Sequence, residues 1–269
     1  MKPTNYAISL FDLVFHPTWT YQGKCHIDLE VKKPTKTITL NTHELKIHSA
    51  ELLSEAGKTT SSIKASNVSY DATNQRCTLS FDQELSQAPK AVLSITFEGT
   101  MNSNMAGFYR SKYKPPVTPA KSVPSDGEHH YMFSTQFESS DARRAFPCFD
   151  EPNLKASLDF EIEIPEDQVA LSNMPEKEVK KSKKDGWKVV NFDKSPRMST
   201  YLYAWAFGDF EYIENFTRRQ YNGKNLPVRV YTTSGLKEQG KLALESAHQI
   251  VDFFSEVRYE RVYTNEGLS

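Results

Sequence analysis

Apolar and polar side chains alternate with a period of two along most of this chain, and that pattern leaves room for little except sheet. Leu158-Asp-Phe-Glu-Ile-Glu-Ile164 is the cleanest case. Successive side chains of a strand point to opposite faces, so this text puts four apolar residues on one face and three acids on the other. Tyr6 to Phe15, Cys25 to Val31, Arg76 to Phe81, Ala91 to Phe97 and Tyr131 to Phe137 read the same way. Turn-forming clusters separate them at Lys33-Pro34, at 71–74 and at 87–90. Many strands at short spacing, with almost no helix between them, predict a mainly β fold: an antiparallel sandwich or saddle-like sheet. Tyr201-Leu-Tyr-Ala-Trp-Ala-Phe207 is continuously apolar and predicts a strand buried on both faces. Ser140 to Ala145 predicts one helical turn, ended by Pro147. The four prolines within 114–127 mark an irregular loop, and the basic run 177–184 beside Asp185-Gly186 reads as a solvated hairpin tip.

The character changes after about Tyr212. Pro227-Val-Arg-Val-Tyr231 predicts a short strand, and Gly235 opens a helix with Ala243, Ala247, Ile250, Val251, Phe254 and Val257 on one side. No sustained pattern follows. The expected organisation is therefore a β domain over 1–212, the incomplete start of a second domain over 213–257, and a tail over 258–269.

Composition removes several function classes. The 33 basic and 34 acidic side chains give a net charge of -1, so nucleic acid and anionic membranes are not expected partners. No basic start with a long apolar run opens the chain, and no stretch is long and apolar enough to span a bilayer. Cys25, Cys77 and Cys148 are odd in number and widely spaced, which argues against a disulfide framework. A reducing, cytoplasmic compartment is the expectation.

General motifs yield no chemistry. In His43-Glu-Leu-Lys-Ile-His48 the histidines are five apart, not four. On a helix they would diverge by about 140°, and on a strand they would face opposite sides. His129-His130 are adjacent and also diverge on a strand. Gly235-Leu-Lys-Glu-Gln-Gly240-Lys241 nearly spells a phosphate loop, but Leu242 stands where Ser or Thr must hold magnesium.

The distinctive text is Ser134-Thr-Gln-Phe-Glu-Ser-Ser-Asp-Ala-Arg-Arg-Ala-Phe-Pro-Cys-Phe-Asp-Glu-Pro152. In an extended segment Gln136 and Glu138 share a face while Phe137 packs behind them. Arg143, Arg144, Asp150 and Glu151 can pair to hold a turn rigid, and Cys148 reads as a small buried hydrophobe. This segment resembles the signature in the amino-terminal domain of the gluzincin zinc aminopeptidases, the family of aminopeptidase N and puromycin-sensitive aminopeptidase. Collinear matches include Met105-Ala-Gly-Phe-Tyr-Arg110, Ala170-Leu-Ser-Asn-Met174, Met198-Ser-Thr-Tyr-Leu202 and Ala206-Phe-Gly-Asp-Phe210. The resemblance implies that Gln136 lines the pocket for the first side chain of a peptide and that Glu138 binds its free amine. It also implies that 213–257 begins a thermolysin-like α/β catalytic domain.

H-E-x-x-H and G-A-M-E-N, which carry zinc binding and exopeptidase specificity in that family, are absent from these residues. The chain is therefore expected to supply amine recognition, to bind no zinc and to be inactive alone. The alternative is a noncatalytic scaffold derived from the same fold; retention of Gln136 and Glu138 favours the first reading. Agreement with the family stops at Arg258, so a non-family tail is expected there, from a gene-model artefact, a retained intron or an isoform. The unpaired helix is expected to promote self-association through Phe253, Phe254 and Ile250.

Overall fold

The computed structural model describes residues 1–56, 59–114, 116 and 123–264, without the side chains at 54–61 and 258–264. Its strands are β1 (Lys2–Val14), β2 (Thr20–Val31), β3 (Thr35–Asn41), β4 (Lys46–Ala56), β5 (Thr59–Lys64), β6 (Asn67–Asp71), β7 (Arg76–Leu85), β8 (Ala88–Thr100) and β9 (Gly107–Tyr113). Then follow β10 (His130–Gln136), β11 (Ser157–Pro165), β12 (Val169–Ser172), β13 (Glu176–Lys181), β14 (Trp187–Phe192), β15 (Trp205–Gly208), β16 (Phe210–Tyr221) and β17 (Lys224–Thr233). One α-helix, α1 (Lys241–Thr264), comes last. No described helix is long and apolar enough to cross a membrane.

Two compact units result, 1–113 with 122–208 and 209–269 with 114–121. The first holds an eight-stranded sheet in the order β13-β14-β11-β1-β2-β8-β4-β5, a four-stranded sheet β12-β15-β10-β9 and a three-stranded sheet β3-β7-β6. The second holds the β16-β17 hairpin and α1. The predicted mainly β, largely antiparallel architecture is what forms, with one exception: β1 and β11 pair in parallel, Tyr6 opposite Leu158 and Ile8 opposite Phe160. Alternation alone cannot see that exception, because both orientations keep the period of two.

Alternation does set the core of the first unit. Tyr6, Ile8 and Leu10 of β1, Cys25, Ile27 and Leu29 of β2, Leu93, Ile95 and Phe97 of β8, and Leu158, Phe160, Ile162 and Ile164 of β11 are all buried. They join Phe108, Phe133 and Phe207 of the four-stranded sheet and Ile38, Leu40 and Leu79 of the three-stranded one in one contiguous cluster. Burying such side chains contributes roughly 1.5–3 kcal/mol each before the entropy of ordering them is subtracted.

Three local expectations change. The apolar run 201–207 is a strand only from Trp205; residues 200–202 make a 3-10 turn, with Leu202 exposed. Tyr203 ends that turn, and its buried hydroxyl donates to the Ala156 carbonyl at 2.9 Å. Most of the basic run lies in β13, an exposed edge strand, with only 182–186 at the tip. Charged side chains suit an edge, since they discourage pairing with another sheet. In the proline-rich loop, 115 and 117–122 lie outside the described residues, as does 265–269 of the expected tail.

The helix differs most. A 3-10 turn, Lys237–Gly240, precedes it, and α1 itself starts at Lys241. Of the six residues expected on its packing side, Ala247 and Val257 are half-buried while Ala243, Ile250, Val251 and Phe254 are exposed. The hairpin instead receives Leu244, Ala247, His248, Asp252 and Ser255. The β16-β17 ladder shifts register between Phe216 and Gln220, beside the amides of Arg218 and Arg219. The Asp252 carboxylate accepts both, at 2.8 and 3.4 Å, and also the Tyr221 hydroxyl at 3.1 Å.

Candidate functional site

The signature segment begins where β10 ends. β10 pairs antiparallel with β9, and Gln136 opposite Gly107 is the last pair of that ladder. Phe137 then turns inward and is 2% exposed, with its ring 5.2 Å from Trp205 and 6.1 Å from Phe146. Gln136 and Glu138, on either side of it, are exposed. The two polar groups thus flank one buried anchor, and the Gln136 amide donates weakly to the Glu138 carbonyl at 3.4 Å. The peptide bond after Glu138 is cis.

Behind these side chains the backbone is tied down residue by residue. The Asp141 amide donates to the Phe137 carbonyl at 2.8 Å and closes the turn that carries Glu138. Ala142–Arg144 is the expected single helical turn, here of 3-10 type. The Ala145 carbonyl accepts the buried Tyr21 hydroxyl at 2.8 Å, and Cys148 pairs with Asn41 through both backbone groups. The Phe149 amide donates to Tyr6 Oη at 3.0 Å, and the Asp150 amide to Asn41 Oδ1 at 3.1 Å. Burial, reinforced by Cys148, holds the Tyr6 hydroxyl far above the usual phenol range, so it stays neutral.

Four charged residues of the signature, Asp141, Arg143, Arg144 and Asp150, are engaged in ion pairs. Arg143 Nε donates to Asp150 Oδ2 at 2.9 Å, while Thr200 Oγ1 donates to Asp150 Oδ1 at 2.6 Å. Arg144 pairs with Asp141 at 2.7 Å and Glu44 at 2.9 Å rather than with Glu151. Cys148 is fully buried, and burial, with Asp150 close by, pushes its thiol well above the ordinary range. It packs as a small hydrophobe.

The histidine pairs separate as their spacing requires. His43 lies in the turn before β4 with Glu44 at 3.7 Å, whereas His48, within β4, stands 4.0 Å from Glu98. His129 approaches Asp126, and His130 starts β10. Among the described residues, no three His, Cys, Asp or Glu side chains converge as a metal-holding set. The donor set of these residues does not fit a catalytic zinc, which needs three protein ligands around one point.

Glu44, Asn41 and Tyr21, which fix the segment from outside, carry no motif, whereas Thr200 falls within the Met198–Leu202 match. Their contacts span separations such as 100 residues for Glu44 and 109 for Asn41. The one local signal is Gly107 with φ of +69°; a Cβ there would lie 2.5 Å from Arg144 Cβ.

The first unit is thus a β domain that exposes Gln136 and Glu138 around a hydrogen-bonded turn. The chain belongs to the Peptidase M1 N-terminal domain family, whose model matches residues 2–202. It is 38% identical over 258 residues to "Aminopeptidase 2, mitochondrial" of Saccharomyces cerevisiae, covering 94% of this chain and 25% of that protein. It is 34% identical over 255 residues to "Puromycin-sensitive aminopeptidase" of Caenorhabditis elegans, covering 95% and 25%. "Aminopeptidase M1" of Arabidopsis thaliana is 36% identical over 249 residues, at 91% and 26%. The chain thus spans about a quarter of the length of the curated relatives it matches.

Proposed function

We propose that this chain is the amino-terminal, amine-recognising portion of a zinc aminopeptidase that removes residues from the amino termini of peptides. Glu138 accepts the substrate α-ammonium, and Gln136 lines the pocket for the first side chain. The carrying observation is the pair of exposed polar side chains flanking buried Phe137 on a turn closed by the Asp141 amide. A carboxylate with a fixed backbone selects a terminal ammonium through a charge-assisted hydrogen bond without ordering itself on binding.

In this reading residues 1–212 form the amino-terminal domain, 213–257 begin the catalytic domain and 258–269 are a non-family tail. Zinc and the activation of water belong to the remaining portion of the enzyme, and no step of bond cleavage is placed on these residues. The compartment is cytoplasmic. The exposed stripe of α1, with Phe253 at 59% and Phe254 at 64%, supports self-association of the isolated chain.

The test is turnover of an L-alanyl fluorogenic amide with added zinc. This chain alone is expected to give none; the complete enzyme is expected to give turnover. Glu138→Ala in the complete enzyme is expected to lower kcat/KM about a hundredfold, the scale of one charge-assisted contact left unmade. An unchanged kcat/KM for that variant refutes the amine role.

A further inference from the structure

We propose that Glu44, Arg144 and Asp141 form a positioning chain that sets the Glu138 turn; the proposal rests on the amine-binding reading of Glu138. None of the three touches substrate in it. The chain runs in three steps through groups on the first unit. Glu44, in the turn between β3 and β4, takes Arg144 NH1 on Oε2 at 2.9 Å. Arg144 Nε gives its hydrogen bond to Asp141 Oδ1 at 2.7 Å. Asp141 then donates its amide to the Phe137 carbonyl at 2.8 Å, which leaves Glu138 as the first residue inside the closed turn.

Each link is anchored from outside. The β3-β4 turn is fastened to the 3-10 turn by the His43 amide on the Arg143 carbonyl at 2.9 Å. The stem of Arg144 lies over Gly107, the residue opposite Gln136 in the β9-β10 ladder. One arginine therefore sees both ends of the recognition segment: its stem packs where Gln136 is paired, and its guanidinium holds the residue that closes the turn after Glu138. A planar guanidinium engages two carboxylates in fixed directions, which an ammonium does not. Glu44 is 56% exposed at its side chain, yet adopts φ of +58°.

The experiment measures KM and kcat for the L-alanyl amide in the complete enzyme, with melting temperature as a folding control. Arg144→Met keeps the stem over Gly107 and is expected to raise KM about tenfold with kcat within about twofold. Arg144→Lys is expected to recover only part of the loss. Added to Glu138→Gln, Arg144→Met is expected to change KM no further, because positioning acts only through the carboxylate. Multiplicative losses, or an unchanged KM, overturn the proposal. If Arg144→Met does not fold, Glu44→Gln carries the same test at about threefold. A second readout uses this chain alone: hydrogen exchange of the Asp141 amide is expected to quicken about tenfold in Glu44→Gln or Arg144→Met. If Glu138→Gln leaves KM unchanged while that exchange still quickens, the amine reading fails and the positioning chain stands. If exchange is unchanged, the chain itself is refuted.

Discussion

Removing the Asp150 carboxylate should unfasten the signature segment, and the size of the effect follows from its contacts. Asp150 is 6% exposed and accepts Arg143 Nε at 2.9 Å, Thr200 Oγ1 at 2.6 Å and, weakly, the Arg143 amide at 3.4 Å. In Asp150→Ala the Arg143 side chain, 14% exposed, keeps only long contacts to Gln75 Oε1 at 3.4 Å and the residue-150 carbonyl at 3.5 Å. Stranding a buried partner of an ion pair costs about 3–5 kcal/mol, and the remaining contacts place this case near 3. The orphaned Thr200 hydroxyl adds about 1, for a total of about 4 kcal/mol. Asp150→Asn keeps an acceptor but no charge and should cost about 2 kcal/mol. Adding Arg143→Met to Asp150→Ala should recover about 2 kcal/mol, because no charge is then left unpaired. Urea unfolding followed by tryptophan fluorescence is the assay, since Trp19, Trp187 and Trp205 all lie in the first unit. A loss below about 1 kcal/mol for Asp150→Ala, or full additivity in the double variant, would show that the pair does not hold this segment.

Two further outcomes are expected. Cys25, Cys77 and Cys148 are buried and unpaired, and burial raises all three thiols, so a thiol reagent should leave the native chain unlabelled and react with three equivalents in urea; rapid labelling of any one in the native state would contradict the packing. The Glu211 carboxylate accepts the amides of Lys237 and Gly235, which lowers its pKa below the ordinary glutamate value. Its contribution is then present above about pH 4.5 and is lost as pH falls through the depressed folded value. Amide shifts of Gly235 and Lys237 should keep their bonded positions below that ordinary value, and a midpoint at or above it would be incompatible with the contact.

The strands were legible because burial on one face of a sheet leaves a period of two in the chain. β1, β2, β8 and β11 all fall within or around the segments that this period marks. Phe137 inward between outward Gln136 and Glu138 was legible for the same reason, but the strand ends at Gln136 and Glu138 lies in a turn rather than in an extended segment. What holds them was not legible. The text offers Asp150 and Glu151 as partners for Arg143 and Arg144, whereas the folded chain pairs Arg144 with Asp141 and with Glu44 of the β3-β4 turn.

The helix makes the same point in the second unit. Its apolar stripe was visible, yet Ile250, Val251 and Phe254 stay exposed while Asp252 accepts the amides of Arg218 and Arg219 in the hairpin. The parallel pairing of β1 with β11 joins residues about 150 positions apart, as the Asn5–Asp159 and Ser9–Glu161 hydrogen bonds do. Sequence alone determined most of the extended segments, their apolar faces and where the signature segment lies, because those depend on neighbours along the chain. Tertiary structure alone decided strand partners, ion-pair choice and helix facing, because distant backbone and charged groups each had to find a partner in one shared arrangement.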